Sequence, residues 1–329
     1  MREILEDESM QPLVYDPAVD GVTQSVILKW RSCEVKARMS LKGYTSEVPS
    51  TTTFFGSLFH SAMEYLLGQI KLGKHEITEQ DILLGVKFAQ EKERQSYEDS
   101  ATPGKEAFME GLALLTPALE YYFKHWHEDF TSRKKTYLAV EESFRVNIPG
   151  TTTGLRGKRD GVYVGHDGNM WLLEHKTKSQ ISEDSITQTI GRDFQNLLYI
   201  YTYYLETGRK LSGVLYDVIR KTSLKKKVNE TLGQYALRIG EDTASRPEFY
   251  FMRFEAAIPW SRVEKFAEAL SREAAKFTVW WEQDEDLDLE NTSSCWAFNS
   301  ACPYMGYCDS GRCNLGGLSV KKELFGETK

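Results

Sequence analysis

Residues 155–177, LRGKRDGVYVGHDGNMWLLEHKT, contain two strand-like runs joined by a turn. The turn, His166-Asp-Gly-Asn169, has the composition of a hairpin turn, and the run that follows it is mostly apolar. A turn this short makes the two strands antiparallel neighbours. Asp160 then lies in one strand and Glu174 in the next, so their carboxylates can converge on one point.

The residues around Glu174 suit phosphodiester hydrolysis. Side chains alternate along a strand, so Glu174 and Lys176 share one face while His175 points away. Carboxylates hold Mg²⁺ or Mn²⁺ through hard oxygen atoms, and the ion lowers the pKa of an attacking water. A lysine stabilises charge on the phosphoryl oxygens. The same residue types are also common on solvated faces with weak ion pairs, but the apolar run before Glu174 favours a site.

Helical patterns lie on both sides of these strands. The spacing of apolar residues predicts helices over residues 22–41, 57–72, 78–97, 105–129, 184–206 and 260–281. Further strands are predicted over residues 137–148, 213–219 and 249–254. This order of elements predicts a mixed sheet flanked by helices.

The order Asp160, hairpin, Glu174-x-Lys176 resembles the PD-(D/E)xK nuclease superfamily. The resemblance implies an α/β fold with a restriction-endonuclease-like core. In that fold a mixed β-sheet is flanked by helices, here with an N-terminal helical region and a C-terminal cysteine cluster segment. It also implies Asp160, Glu174 and Lys176 as catalytic residues. The proline of the family motif is absent, because Arg159 precedes Asp160.

Gly56-Ser-Leu-Phe-His60 opens a helix similar to that of RecB-like nucleases, whose histidine is an added metal ligand. The resemblance implies a metal site of His60, Asp160 and Glu174. A neutral imidazole can bind a divalent ion, and manganese tolerates it better than magnesium does. The alternative is a helix histidine bonded to its neighbour. Glu64 shares the face of His60 and is either its partner or an ordinary helix charge.

Gln195-Asn-Leu-Leu-Tyr199 is similar to the Gln-x-x-x-Tyr motif of RecB-like nucleases. Gln195 and Tyr199 share a helix face and could hydrogen-bond a phosphate or nearby backbone. The alternative is an amphipathic helix in which Leu197, Tyr199 and Tyr203 belong to the core.

Four cysteines crowd into one segment, Cys295-x6-Cys302-x5-Cys308-x4-Cys313, which lacks the tight Cys-x-x-Cys knuckle of a zinc ribbon. The segment resembles the C-terminal part of RecB-like nucleases that carry a [4Fe–4S] cluster, a layout shared by the CRISPR-associated exonuclease and many phage-encoded relatives. That layout implies Cys33, Cys295, Cys302 and Cys308 as cluster ligands, with Cys313 spare. Zinc and unligated thiols remain the alternatives.

The formal net charge is −7, from 41 Lys and Arg against 48 Asp and Glu, which excludes a strongly basic nucleic-acid coat protein. Basic residues nevertheless cluster locally, and such patches could follow a phosphate backbone. Arg220 and Lys221 are the better substrate-binding candidates because they follow an apolar strand. The tyrosines 199, 201 and 203 are candidate stacking surfaces. The other basic groups are 133–135, 158–159, 176 with 178, and 225–227, the last of which is as easily a solvated loop.

These features predict a metal-dependent DNA nuclease, and the resemblance implies exonuclease action on single-stranded DNA in recombination, repair or phage DNA processing. The alternative is a non-catalytic DNA-binding or assembly factor on the same fold. Recombination or CRISPR-adaptation proteins are the implied partners. Neither a membrane span nor an apolar signal core is apparent, so a cytoplasmic location is expected.

The predicted organisation has four segments. Residues 1–21 are expected to be loosely ordered, and residues 22–135 form a helical region with Cys33 and His60. Residues 136–290 form the nuclease core, and residues 291–329 form the cysteine-rich iron–sulfur segment.

Overall fold

The computed structural model describes residues 11–46, 54–98, 102–132, 134–297 and 300–325. The chain divides into two compact units. Unit 1 takes its residues from 1–48, 143–158 and 264–329, and unit 2 from 49–142 and 159–263. No helix among the described residues is long and apolar enough to span a membrane.

The helices are α1 (Gln24–Ser32), α2 (Glu34–Leu41), α3 (Phe54–Lys71), α4 (Glu79–Lys92), α5 (Arg94–Glu98), α6 (Thr102–His125), α7 (His127–Thr131), α8 (Glu183–Thr189), α9 (Phe194–Thr207), α10 (Leu232–Ser245), α11 (Pro247–Tyr250), α12 (Trp260–Glu282) and α13 (Met305–Asp309). The strands are β1 (Tyr44–Ser46), β2 (Lys135–Asn147), β3 (Gly154–Gly165), β4 (Met170–Lys178), β5 (Gly213–Arg220), β6 (Phe251–Ala257), β7 (Trp296–Ala297), β8 (Ser300–Ala301) and β9 (Leu318–Val320).

A five-stranded sheet, in the order β2-β3-β4-β5-β6, carries the predicted hairpin. β3 and β4 are antiparallel, with Gly161 opposite Leu173, and Gly165 N donates to Asn169 O at 2.9 Å across the turn. β5 runs parallel to β4, because the chain crosses over through α8 and α9, and β6 returns antiparallel to β5. The predicted fold class, a mixed sheet flanked by helices, is confirmed.

Helix α3 packs on this sheet within unit 2, and α4 and α6 pack against α3. Phe59 of α3 and Tyr122 of α6 are buried in one apolar cluster with Leu173 of β4 and Leu215 of β5. Burial of a large apolar side chain stabilises the fold by about 1.5–3 kcal/mol. The cluster therefore fixes α3 against the strand that carries Glu174.

The predicted single helix over residues 22–41 is wrong, because the chain breaks at Cys33. Cys33 is extended, with φ −170° and ψ 124°, and it both ends α1 and precedes α2. The hydroxyl of Ser32 donates to Lys29 O at 2.7 Å, which competes with the main-chain ladder at this point. The break places Cys33 at a junction rather than on a helix face.

The predicted helix over residues 184–206 is also interrupted. α8 gives way to a 3-10 turn, Ile190–Arg192, and α9 starts after Asp193, whose carboxylate accepts from Asn196 N at 3.1 Å. This start brings Gln195 into the first turn of α9. By contrast, the predicted helix over residues 78–97 does begin at Thr78, which forms a capping box with Asp81.

Residues 11–21, the described part of the segment predicted to be loosely ordered, make specific contacts within unit 1. Tyr15 is buried, and its hydroxyl donates to Gly21 O at 3.0 Å. Leu13 N donates to Lys42 O at 2.8 Å, and Val22 forms a parallel bridge with Leu155.

A buried ion pair joins α2 to the chain that follows α12 in unit 1. Arg38 Nε lies 2.6 Å from Asp288 Oδ2, and Arg38 Nη2 lies 3.0 Å from Asp288 Oδ1. The guanidinium carbon also lies 4.7 and 4.9 Å from the ring centroids of Trp280 and Trp281. Trp280 Nε1 donates to Asp288 Oδ1 at 2.8 Å, so the carboxylate has several partners.

Candidate functional site

The hairpin strands β3 and β4 stop pairing through their main chains just before Asp160. The last pair in the register is Gly161 with Leu173, and beyond it His175 N donates to Asp160 Oδ2 at 2.7 Å. This contact fixes the Asp160 carboxylate, whose second oxygen, Oδ1, lies 3.5 Å from His60 Nδ1 of α3. The structure therefore brings the predicted residues His60 and Asp160 together.

His60, Glu141 and Asp160 form a group whose candidate ligand atoms all lie within 4.8 Å of one another. Burial alone would lower the pKa of His60, but the Asp160 and Glu141 carboxylates outweigh it and hold that pKa well above the ordinary value. Burial alone would raise the pKa of Asp160, but the charge of His60 outweighs it and lowers that pKa to about 2. The group therefore concentrates negative charge that a bound cation would neutralise.

Glu141 is the residue of this group that the sequence analysis missed. Its Oε1 lies 3.3 Å from His60 Nδ1, and its side chain is only 4% exposed. Its φ of +45° lies in the left-handed region, which non-glycine residues rarely adopt. Burial along β2 also changes phase here, from odd positions at Tyr137 and Ala139 to an even position at Phe144. A strained backbone thus turns a carboxylate toward His60.

Replacing Glu141 by glycine is expected to weaken Mn²⁺ binding at least tenfold, because one oxygen ligand is lost. The melting temperature should stay at or above that of the wild type, because glycine adopts a positive φ without the cost of about 1–3 kcal/mol. Titration with Mn²⁺ and thermal unfolding measure the two effects. Glu142→Gly, at a side chain 51% exposed, is the matched control and should leave Mn²⁺ affinity unchanged. Equal Mn²⁺ affinity in Glu141→Gly and the wild type would remove Glu141 from the site.

Glu174, Lys176 and Gln195 form a second, connected group. Lys176 Nζ donates to Glu174 Oε1 at 2.6 Å and to Gln195 Oε1 at 2.9 Å, and Gln195 Nε2 donates to Glu174 Oε1 at 2.8 Å. Glu174 is 1% exposed, and its Oε2 has no hydrogen-bond partner among the described residues. Burial, with the charge of Asp160, raises the pKa of Glu174 to about 8. Burial alone would lower the pKa of Lys176, but the Glu174 carboxylate reverses the effect and raises it, so the ammonium stays protonated.

The tyrosines of α9 do not offer stacking surfaces. Tyr199, Tyr201 and Tyr203 are all buried, at 8%, 8% and 5% exposure. Tyr199 interacts with the side chain of Gln195 one turn earlier. The alternative interpretation, that these rings belong to the core, fits their burial better, and Tyr199 interacts with Gln195, which bonds Glu174 and Lys176.

Arg159, which stands where the family motif has proline, is fully buried and turned toward α9. Its Nε donates to Tyr199 O at 3.3 Å, and its Nη2 donates to Thr202 Oγ1 at 3.0 Å and to Glu206 Oε2 at 2.5 Å. The predicted basic group at 158–159 therefore loses Arg159 as a substrate contact. Instead, Arg159 ties the strand that carries Asp160 to the helix that carries Gln195.

Several basic residues gather at the carboxyl ends of β4 and β5, next to Lys176. Lys178 is the register partner of Arg220, and Lys221 N donates to Lys178 O at 2.8 Å. The guanidinium carbon of Arg220 lies 4.1 Å from the Phe249 ring centroid, and that ring is 37% exposed. The predicted candidates Arg220 and Lys221 thus lie two and three residues beyond the level of Lys176.

Other predicted groups form pairs away from the site. Glu64 pairs with Lys92, so it behaves as a helix charge rather than as a partner of His60. Lys134 and Lys135 pair with Glu128 and Asp129, each at 2.7 Å. Arg133 of the same basic group lies outside the described residues.

The cysteine segment lies in unit 1, where Cys33, Cys302 and Cys308 pack around one small apolar cluster that includes Tyr304. Cys302 N donates to Cys295 O at 2.7 Å across the β7–β8 hairpin. Burial, the charge of Glu290 and the other three thiols raise the pKa of Cys308 to about 11. Cys313 differs from these four, because it is exposed and its Sγ donates to Ser310 O at 2.8 Å.

The sequence model of the PD-(D/E)XK nuclease superfamily matches residues 22–309. No curated protein matches the chain. Among solved structures, the protein SSO0001 matches at 10% identity, over 77% of this chain and 94% of its own, with a TM-score of 0.32. A candidate exonuclease from Eubacterium rectale matches at 15% identity, over 69% of this chain and 79% of its own, with a TM-score of 0.38. TM-scores this low support no conclusion about the activity of this chain.

Proposed function

The chain belongs to the PD-(D/E)XK nuclease superfamily, and from this premise we propose that it is a divalent-metal-dependent deoxyribonuclease that degrades single-stranded DNA from an end. One observation carries the proposal. Asp160 belongs to the group of His60 and Glu141, and it lies near enough to Glu174, the partner of Lys176, for its charge to raise the pKa of Glu174. Carboxylates, an imidazole and a protonated amine around one point are suited to phosphodiester hydrolysis.

Mg²⁺ or Mn²⁺ would be held by His60, Asp160 and Glu174, as the resemblance implies, together with Glu141. Two observations fit such an ion. The ligand atoms of three of these residues lie within 4.8 Å of one another, and Glu174 Oε2 is buried with no hydrogen-bond partner among the described residues. The imidazole favours Mn²⁺. When bound, the ion would polarise the phosphate and lower the pKa of the attacking water.

The protein's own groups would orient the reactants. The Lys176 ammonium is held between Glu174 and Gln195, so its position is set before substrate binds. From there it can donate to a phosphoryl oxygen as negative charge develops in the transition state. Asp160 is held by His175 N and cannot rotate freely, which keeps its other oxygen directed toward His60.

Substrate would approach along the basic ends of β4 and β5. Lys178, Arg220 and Lys221 provide positive charge there, and Phe249 provides a partly exposed ring beside Arg220. Charge with an interleaved aromatic surface is typical of single-strand binding. Gln195 belongs to the proposal as a residue that holds Lys176, and Tyr199 as a partner of Gln195 rather than as a stacking surface.

We also propose a [4Fe–4S] cluster held by Cys33, Cys295, Cys302 and Cys308. The charges of Cys33, Cys302 and Cys295 all act on Cys308, so these four thiols are near neighbours, as four ligands of one cluster would be. Such a cluster would join Cys33, near the start of the chain, to the C-terminal segment and would have a structural role.

Cys295→Ser is expected to lose most of the iron of an anaerobic preparation, whereas Cys313→Ser should keep it. The difference follows from position, because Cys313 bonds Ser310 while Cys295 lies beside Cys302. Iron content per chain and the visible absorption spectrum measure both variants. A wild type that is folded, colourless and free of iron would refute the cluster. Loss of iron from Cys313→Ser alone would mean that Cys313, and not Cys295, is the fourth ligand.

Degradation of end-labelled single-stranded DNA tests the proposed activity. Linear single strands should be degraded with Mn²⁺ and remain intact with EDTA, while closed circular single strands should persist because they have no end. Cleavage of the circles would indicate endonuclease action. No cleavage by a cluster-loaded wild type would leave the DNA-binding or assembly role as the better explanation.

The proposal also covers the location of the protein and its partners. Free thiols and a cluster are compatible with a reducing cytoplasm, which we propose as the location. DNA is the proposed substrate, and proteins of recombination or CRISPR adaptation are the proposed partners, since the chain resembles the CRISPR-associated exonuclease and phage-encoded relatives.

A further inference from the structure

Lys29 of α1 is a partly buried ammonium without a counter-ion. Its Nζ donates to Ser40 Oγ of α2 at 2.5 Å. Among the residues that the structure describes, no carboxylate oxygen lies within 4.0 Å of it, although nearby Lys42 pairs with Glu285. Burying a charge without a partner of opposite sign is unfavourable, so this arrangement requires an explanation.

Two more lysines lie near enough to Lys29 for their charges to act on it. Lys36 precedes Ser40 by one turn of α2, so the two side chains share a helix face. Lys321, directly after β9, donates its main-chain N to Gly43 O at 2.9 Å, which brings it to the end of α2. Burial, together with the charges of Lys321 and Lys36, lowers the pKa of Lys29 to about 8. In the described part of the chain, neither lysine has a carboxylate within salt-bridge distance.

We propose that Lys29, Lys36 and Lys321, with the hydroxyl of Ser40, form an anion-binding subsite for a phosphate group in unit 1. Three ammonium groups and a hydroxyl supply the charge-assisted hydrogen bonds that phosphate oxygens accept. A bound phosphate would also neutralise the surplus charge on Lys29. The assignment of that phosphate to a DNA backbone rests on the proposed function, whereas the subsite itself does not.

The test compares the full-length wild type with the triple variant Lys29→Met, Lys36→Gln, Lys321→Gln. Lys42→Gln is the matched control, because it removes a lysine of the same segment that already has a carboxylate partner. Binding of labelled oligo-dT is measured by fluorescence anisotropy across a range of salt, with no added divalent ion. The slope of log Kd against log salt should fall by about 0.7 in the triple variant, because the subsite neutralises one phosphate of a single strand.

A second measurement, with inorganic phosphate, distinguishes free phosphate from DNA backbone phosphate as the ligand. Phosphate should raise the melting temperature of the wild type and of Lys42→Gln above its value in chloride at equal ionic strength, and should leave the triple variant unchanged. Loss of this response with an unaltered DNA slope would identify free phosphate as the ligand. Equal DNA slopes and equal phosphate responses in the triple variant and Lys42→Gln would overturn the subsite.

Separate control measurements test the folding and the nuclease activity of these variants. The melting temperature of the triple variant in chloride should not fall below that of the wild type, because Lys29→Met removes a charge without a counter-ion. If the triple variant is unstable, the double variant Lys36→Gln, Lys321→Gln, which keeps Lys29 in place, is measured by the same two arms and should lose up to about 0.7 from the slope. A wild type that shows the phosphate response but cleaves no DNA would refute the proposed nuclease activity and leave the subsite standing.

Discussion

Replacing Lys176 by methionine is expected to slow cleavage of single-stranded DNA about 10³-fold, the usual effect of removing a donor that stabilises transition-state charge. Methionine keeps much of the length of the side chain but removes the ammonium that lies 2.6 Å from Glu174 Oε1 and 2.9 Å from Gln195 Oε1. Single-turnover rates at saturating Mn²⁺ measure the loss. Mn²⁺ affinity should change little, because the proposed ligands His60, Glu141, Asp160 and Glu174 remain.

Lys276→Met is the control for Lys176→Met. Lys276 is 68% exposed in its side chain and pairs with Glu273 at 3.2 Å, so its loss should not alter the rate. Circular dichroism should show both variants folded like the wild type. Metal-dependent cleavage at the wild-type rate by Lys176→Met would exclude this lysine from the chemistry and would undermine the assignment of the whole site.

Replacing Asp288 by alanine is expected to lower the free energy of unfolding of unit 1 by about 3–5 kcal/mol, because it leaves the Arg38 charge buried without its partner. Asp288 is 4% exposed, and it accepts hydrogen bonds from Arg38 and Trp280. The effect is measured by urea unfolding followed through tryptophan fluorescence, since Trp280 and Trp281 flank the pair.

Glu285→Ala on the same segment is the control for Asp288→Ala. Its side chain is 46% exposed and pairs with Lys42, so its loss should cost less than about 1 kcal/mol. A similar small loss for both variants would mean that water reaches the Arg38 guanidinium, and that the burial described for this pair is incorrect.

The hairpin that carries Asp160 and Glu174 could be predicted because its signals are local. A turn composition, two strand-like runs and the alternation of side chains are all contained in 23 consecutive residues. The order of strands and helices predicts the mixed sheet to which β5 belongs, but not the direction of β5. These are short-range patterns that the tertiary structure has little reason to override.

Other features depend on contacts that no local pattern shows. The strained backbone of Glu141 is imposed by its surroundings, and its sequence signal is merely a pair of acidic residues in a strand. The break at Cys33 has no glycine or proline to mark it and depends on a side-chain hydrogen bond of Ser32. The sequence alone indicates Arg159 as a possible substrate contact. It does not show the partners of Arg159 in α9, because they lie 40 or more residues further along the chain.

Helix α10 shows a different reason for a missed element. Its capping box, Thr231 with Gln234, is present in the sequence directly after a lysine-rich loop, but the sequence analysis does not predict the helix. Its buried residues Tyr235 and Ile239 pack within unit 2 on α6, a partner more than 100 residues earlier. Amphipathic helices of this kind obtain most of their stability from such packing.

The pairing of β1 with β9 sets the order in which the protein can be completed during synthesis. Tyr44 lies opposite Val320, and Asp288, the partner of Arg38, is made 250 residues after it. Unit 2 can close only after residue 263 has left the ribosome, whereas α1 and α2 are released long before their partners exist. At about 5–20 residues per second, that interval lasts many seconds, during which their apolar faces are open to chaperones. Ribosomes from which residue 263 but not residue 288 has emerged should therefore carry a folded unit 2 beside a protease-sensitive N-terminus.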